Sequence, residues 1–461
     1  MKTLRDPDRL LTEGLTAIRA QFKVPAAFPP DVDAAAATAA GRTPGEHADR
    51  TAMPFVTLDP ASSTDLDQAF TIETAGSDLL LHYAIADVAW FVADDDPIDR
   101  EAWNRAETTY MPDGKAGLYP RILAEGAASL LPDGPRPALI FTTRVAPDGG
   151  VKLEGVERAV IRSRAKLAYE TATDAELPAG FADLAGRIAA AEQARGAARV
   201  DPPEQQVERD ANGHYSLRLR PLELSETRNA ALSLASNLAV ADALYAAKTG
   251  LFRVMAGPDD AAIARLRHVA LALGLSWPGS ASLEQFEATL DQTRPAEAAF
   301  MLAIRRAGNG ASYVPYHEGV RPWHAAMAAT YCHSTAPLRR LADRYVNRAA
   351  LEVANGRPVP PEVQAAFQRL GPVMDKAEAR NAQIDRAVID LAETAILSGD
   401  EGNAYAAVVI DVSDSGARIQ LCDLPVVSRV VAHGVAPGDR ITVRLDRVDP
   451  ARRELGFSRI A

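Results

Sequence analysis

The last sixty residues of the chain contain five short runs, YAAVVIDV, ARIQLCD, SRVVAHG, DRITVRLDRVD and ELGFSRI, separated by Gly, Pro or Asp turns. Each alternates apolar and polar residues, as a strand with one buried face must. Five such strands in so short a stretch fit a small OB-type barrel, a module that commonly binds single strands. Upstream the period changes twice. Between Pro54 and Tyr169 the β-type runs FVTLD, LLLHYAIADVAWFV, ALIFTTRV and RAVIRS alternate with the turns PDGP and PDGG. From about Leu222 to Leu397 the pattern is helical, broken at AGNGAS and NGRPVPP. Sheet first and helices later make an α+β domain.

At the front, Leu11, Leu15, Ile18 and Phe22 recur at helical spacing between Leu4 and Phe22, and the Pro-rich VPAAFPPDVD closes that helix. Ala-rich residues 34–48 add a second helix before the composition changes at Thr51. The expected layout is a helical segment at 1–50, a large mixed α/β body at 51–400 and an OB-type module at 401–461.

With 461 residues, 47% of them hydrophobic, the chain can bury one large core and carry satellite units. A net charge of −11 and a pI near 5.3 exclude a protein whose whole surface attracts nucleic acid. Arginines concentrate instead around 158–166, 339–348 and 376–386, which suits an interior groove. The opening MKTLRDPDRLLTEG lacks the apolar core of a secretory signal, and no stretch approaches a membrane span, so a cytoplasmic protein without membrane contact is expected. Cys332 and Cys422 lie far apart, which indicates neither a disulfide framework nor a zinc site.

The segment TLDPASSTDLDQAF places Asp59, Asp65 and Asp67 within nine residues at the end of a β run. Three carboxylates so close repel one another unless a cation joins them. Asp65 and Asp67 point the same way in extended backbone, and the turn through Pro60 and Ser63 folds Asp59 back toward them. Such a set suits magnesium, which takes a few carboxylates plus water and substrate phosphate. An acidic surface turn explains the same spacing. An EF-hand does not, because counting from Asp65 puts Phe70 and Gly76 where Gly and Glu belong.

The stretch YCHSTAPLRRLADRYVNRAAL predicts a helix capped by Ser334 or Thr335, with Pro337 in its first turn. Arg339 shares a face with Asp343, and Arg340 with Arg344 and Arg348. Arginines at a helix N-terminus make a phosphate site, although an Arg/Asp-laced solvated helix gives the same pattern. His333 fits a structural role as well as a chemical one.

Taken in order, DPASSTDLDQAF, HYAIADVAWFV, TTYMPDG, RSRAKLAYE and YCHSTAPLRRLADRYVNR resemble the catalytic domain of the ribonuclease II/R family across roughly residues 50 to 400. Five separated motifs make the resemblance specific, and the form of the acidic loop looks like the compact branch of that family. It implies an α/β domain with its active site at the bottom of a channel for single-stranded RNA. The implied activity is hydrolytic, 3′ to 5′, releasing nucleoside 5′-monophosphates. By the same resemblance Asp59, Asp65 and Asp67 bind magnesium, or manganese, and Asp65, Asp67 and Arg339 are catalytic. Gln68 stands where the family has a fourth aspartate, as an amide ligand with one charge fewer.

Tyr169 matches the tyrosine at the 3′-terminal nucleotide and Tyr110 an aromatic on which bases stack. Arg340, Arg344 and Asp385 become RNA contacts. No aromatic occurs in VDPPEQQVE, where larger members have a second stacking wall, and some fifty helical residues cannot encode the two cold-shock barrels those members carry. A monomer without a nucleotide cofactor is expected. The rival readings are an RNA-binding protein without turnover and a cation-binding protein unrelated to RNA.

Overall fold

The computed structural model describes residues 3–4, 10–197, 204–209, 215–220, 223–291, 294–307, 310–413 and 416–460. Its largest sheet is assembled from hairpins. β1 (Val56–Asp59) pairs antiparallel with β2 (Gln68–Ala75), which turns at Gly76 into β3 (Asp78–Ala86), with Gln68 opposite Ile85. Gly76 has φ +67°, a left-handed conformation that costs glycine nothing. β4 (Arg136–Val145) and β5 (Val151–Ile161) form a second antiparallel hairpin, and β6 (Ala165–Ala168) returns parallel to β1 with Ala168 opposite Asp59. With the edge strand Ala48–Asp49 the order is Ala48–Asp49, β5, β4, β3, β2, β1, β6. The acidic loop therefore joins two adjacent strands at one end of the sheet.

Apolar side chains of β2 to β4, such as Phe70, Leu81, Tyr83 and Phe141, are buried among α2 (Pro30–Ala40), α3 (Leu224–Ala246), α4 (Leu341–Ala354) and the first half of α5 (Pro361–Leu397). At 37 residues α5 is about 56 Å long, and it belongs to two cores. Its first half carries Pro372 and passes close to the strand Ala311–Pro315. Only glycine at 371 allows this, since a Cβ there would stand 2.8 Å from the Tyr313 carbonyl. The second half, through Ile384, Leu391 and Ile396, packs on α1 (Leu10–Gln21) and the barrel.

The five C-terminal runs form β7 (Ala404–Ser413), β8 (Gly416–Leu421), β9 (Val427–Val431), β10 (Arg440–Asp449) and β11 (Glu454–Arg459). They close in the order β7, β8, β9, β11, β10, with β9 and β11 parallel. A third, small core unites the helices Asp260–Ala272, Leu283–Glu287 and Pro295–Ala307 through Leu266, Phe286 and Phe300. The fold is thus a mixed α/β body with a closed five-stranded barrel.

The front of the chain departs from expectation. Thr3–Leu4 is a strand paired with Tyr215–Arg220, so the first helix begins at Leu10 rather than Leu4. The second helix starts inside the Pro-rich stretch, because Pro30 has no N–H to lose in a first turn, and it ends at Ala40. The two helices are buried in different cores. α1 is buried against the barrel end of α5, where Gly14 abuts Leu391, whereas α2 is buried in the sheet core. No helix among the described residues is long and apolar enough to cross a membrane.

Candidate active site

The acidic loop closes the floor of a cavity of ≈ 980 Å³, whose wall includes Asp59, Asp65, Asp67, Gln68, Tyr110, Tyr169, Arg339 and Arg340. Asp67 is the most enclosed acid of the loop. Its Oδ1 accepts from the Leu338 backbone N–H at 2.7 Å, and its Oδ2 lies 3.4 Å from Arg339 Nε. Burial pushes Asp67 up to about 8 against the pull of Arg339 and the Leu338 N–H, with the charges of Asp65 and Asp343 adding to the rise. Asp59, at the end of β1, is raised to about 7 by burial, opposed by Arg339 and assisted by Asp65. Asp65 is held differently: Lys115 Nζ lies 2.7 Å from its Oδ1, and the Tyr110 hydroxyl donates to its Oδ2 at 3.3 Å.

Opposite the loop, residues 331–336 run without regular structure into a turn at 337–339, and the segment is pinned from three sides. The Asn237 side chain accepts from the backbone N–H and hydroxyl of Ser334, buried Asp343 accepts from the Ala336 N–H, and the Arg339 carbonyl accepts from the Thr108 N–H. The helix predicted to begin at Ser334 or Thr335 begins at Leu341, after Arg340 as N-cap. Asp343 supplies the reason: its carboxylate grips Arg340 through Nε at 3.0 Å and Nη2 at 2.8 Å, and also accepts from the Ala336 N–H at 2.8 Å. Arg339 and Arg340 therefore stand before the helix. Arg339 remains 46% exposed on the cavity side of Asp67.

α3 provides the third wall through a polar stripe, Glu226, Asn229, Ser233 and Asn237, in an otherwise Ala/Leu-rich helix. Asn229 donates to the Tyr169 hydroxyl at 3.0 Å and to the Leu58 carbonyl at 3.2 Å, which fixes Tyr169 beside Asp59. Sequence reasoning missed this stripe and Lys115. Spacings of three, four and four between those polar residues were the available signal. His333 also reaches the wall, with Nδ1 2.8 Å from the Tyr313 hydroxyl, and burial holds it far below the ordinary histidine range.

Three expected site residues are placed otherwise. Gln68 is committed to the protein: its Oε1 accepts from the Tyr83 and Ser233 hydroxyls, and its Nε2 donates to the Thr335 carbonyl at 2.7 Å. With its amide oxygen already shared by two hydroxyls, it is a strut between sheet, α3 and the arginine segment rather than an open ligand. Arg344 points away from the cavity and is buried in an ion pair with Asp99, near the hydroxyls of Tyr119 and Tyr345. Asp385 is exposed on the barrel half of α5, outside the cavity. The residues 200–203 of VDPPEQQVE lie outside the described residues, while Glu204–Arg209 is a strand.

Among the described residues no three His, Cys, Asp or Glu side chains form a ready-made metal cage. Asp59 and Asp67 are nonetheless hard oxygen donors driven toward their protonated forms by burial and by Asp65. That combination fits a cation held by one or two carboxylates and completed by water and phosphate, the coordination magnesium prefers.

Models of two families match the two parts of this architecture: the RNB domain over residues 48–355, and the RNase II-type exonuclease C-terminal S1 domain over residues 403–460. The chain belongs to the RNB-domain family. It is 26% identical to Ribonuclease R of Escherichia coli strain K12 over 89% of its own length and 57% of that protein. It spans little more than half the length of such curated relatives. The fold is that of Mycoplasma genitalium RNase R, solved in complex with ribose-methylated single-stranded RNA, at TM-score 0.86 and 19% identity over 100% of this chain and 79% of that one. The same protein has been solved with double-stranded RNA. Yeast Ssd1, described as a pseudonuclease, shares the fold at TM-score 0.68 and 15% identity over 96% of this chain and 59% of that one.

Proposed function

We propose that the chain is a magnesium-dependent exoribonuclease that hydrolyses single-stranded RNA from its 3′ end into nucleoside 5′-monophosphates. The observation that carries this reading is the pairing of Asp67 with Arg339 in the wall of the cavity, 3.4 Å apart. Membership of the RNB-domain family and the RNA complexes of the Mycoplasma protein support it.

Asp59, Asp65 and Asp67 would hold the magnesium ion, with manganese as an alternative. When bound, the ion supplies a Lewis acid for the phosphoryl oxygen and an acidified water. Arg339, swinging from Asp67 to the scissile phosphate, stabilises charge that develops in the transition state. Tyr169, oriented by Asn229, borders the terminal nucleotide, and half-exposed Tyr110 offers a ring to a base. Arg340 lines the same wall, but Asp343 already neutralises it, so its part is to hold the segment that carries Arg339.

The test is incubation of 5′-labelled poly(A) with the protein and magnesium, with and without EDTA, beside Asp67→Asn. Stepwise shortening that both EDTA and the substitution abolish is expected. Tight binding without shortening by the unaltered protein would establish the competing reading, an RNA-binding protein without turnover, for which Ssd1 is a precedent within the fold.

A further inference from the structure

Among the described residues two aromatic side chains stand out as exposed, Tyr110 at 50% and Trp323 at 45%. Tyr110 lies on the cavity wall beside Asp65. Trp323 is not itself on that wall but stands directly beside residues that are. Its carbonyl accepts from the Met255 N–H at 3.2 Å, its neighbour His324 bridges Met255, and the segments that follow these residues, Ala325 to Met327 and Ala256 to Pro258, line the cavity. The other aromatic hydroxyls on that wall are already occupied, Tyr169 by Asn229 and Tyr331 by Asn237.

A half-exposed indole beside a cavity offers a flat apolar face on which a ring can stack. Two neighbours add to it. The Arg321 guanidinium lies over the ring, 5.3 Å from its centroid, tethered by its Nε to the Thr330 hydroxyl at 3.2 Å. Val320, 59% exposed, extends the apolar surface. A flat ring with a cation beside it is the arrangement that takes a base by stacking and its phosphate by charge, independent of sequence.

We propose that Trp323 and Arg321 form a nucleobase-stacking subsite at the cavity rim, which grips a single strand upstream of the end held near Tyr169. The proposal rests on the RNA-directed reading above. A rim subsite is reached only by a strand that already fills the cavity, so its contribution depends on length. Trp323 is also the most exposed of the four tryptophans, and its fluorescence reports directly on a base laid against it.

The experiment compares the unaltered full chain with Trp323→Ala and Trp323→Phe on a ladder of oligo(A) lengths, following both shortening and quenching of tryptophan fluorescence. Trp323→Ala is expected to raise KM about tenfold for long strands while leaving kcat, and KM for the shortest substrates, unchanged. Trp323→Phe should restore KM while losing the quench. Equal KM for all three on long strands, or no quench in the unaltered protein, overturns the subsite. So does a change in self-association in place of a change in KM. Quenching without shortening leaves the subsite standing and removes the nuclease reading, so the two fail separately.

Discussion

Arg339 Nε lies 3.4 Å from Asp67 Oδ2, and the peptide N–H immediately before that arginine donates to the other oxygen of the same carboxylate. One acid thus fixes both the backbone and the side chain of the arginine segment. Arg339→Lys keeps the charge but loses the planar fork that matches a phosphate. We expect kcat on poly(A) to fall about 10²-fold with KM little changed, and the melting temperature to stay constant because the side chain is half exposed. Steady-state kinetics with a parallel thermal scan reads both.

Gln68 gives a prediction of the opposite kind. Gln68→Asp adds the negative charge that a metal ligand would bring, yet it removes the donor to the Thr335 carbonyl and places a carboxylate against buried Tyr83. Stability should fall by about 1–3 kcal/mol, and magnesium affinity measured by calorimetry should not improve. Tighter magnesium binding at unchanged stability would restore Gln68 as a ligand position.

Arg344 is buried away from the cavity wall and holds the base of α4 through Asp99. Arg344→Ala leaves that carboxylate buried and unpaired, so the loss should be about 3–5 kcal/mol in chemical denaturation. The RNA affinity of the fraction that remains folded should be unaltered. A stable variant with weakened RNA binding would contradict the placement.

Between α5 and the barrel, Glu393 accepts from the Val427 N–H and the Gln205 side chain, and burial raises it from its ordinary 4.5 to about 7. At pH below 4.5 the carboxyl is protonated in both the folded and unfolded chain, and this group costs nothing. As pH rises through 7 the unfolded chain releases the proton first, so the stability contributed is progressively lost, by about 3 kcal/mol in total. Glu393→Gln keeps an acceptor for Val427 without a titrating proton. Urea denaturation at stepped pH should therefore show a shallower decline between pH 4.5 and 7 in the variant.

Local periodicity carried much of this architecture. The five C-terminal strands follow their runs because each pairs with a neighbour in a small closed barrel, where alternation alone decides which face is buried. The spacing of the acidic loop was legible in the residues themselves, whereas Tyr110, Tyr169 and the catalytic role of Arg339 were named only through the family resemblance; the structure brings all of them to one cavity wall. The placement of Gln68 and Arg344 was not legible, since each is decided by a partner distant in sequence, Thr335 and Asp99, and the start of α4 was not because Asp343 captures Arg340 and the Ala336 N–H just ahead of it. The last competes directly with the helix propensity of the residues before Leu341. Asn229 and Ser233 were hidden for a simpler reason, because a few polar residues in an alanine-rich helix look like its solvent side until a cavity lies opposite them.

Because one uninterrupted helix serves two cores, the barrel is not a detachable accessory. Severing the chain near residue 400 would strip the cover from Leu391 and Ile396, unseat α1 and leave an adhesive apolar stripe on the remnant. A shortened protein made that way would report on aggregation before it reported on RNA.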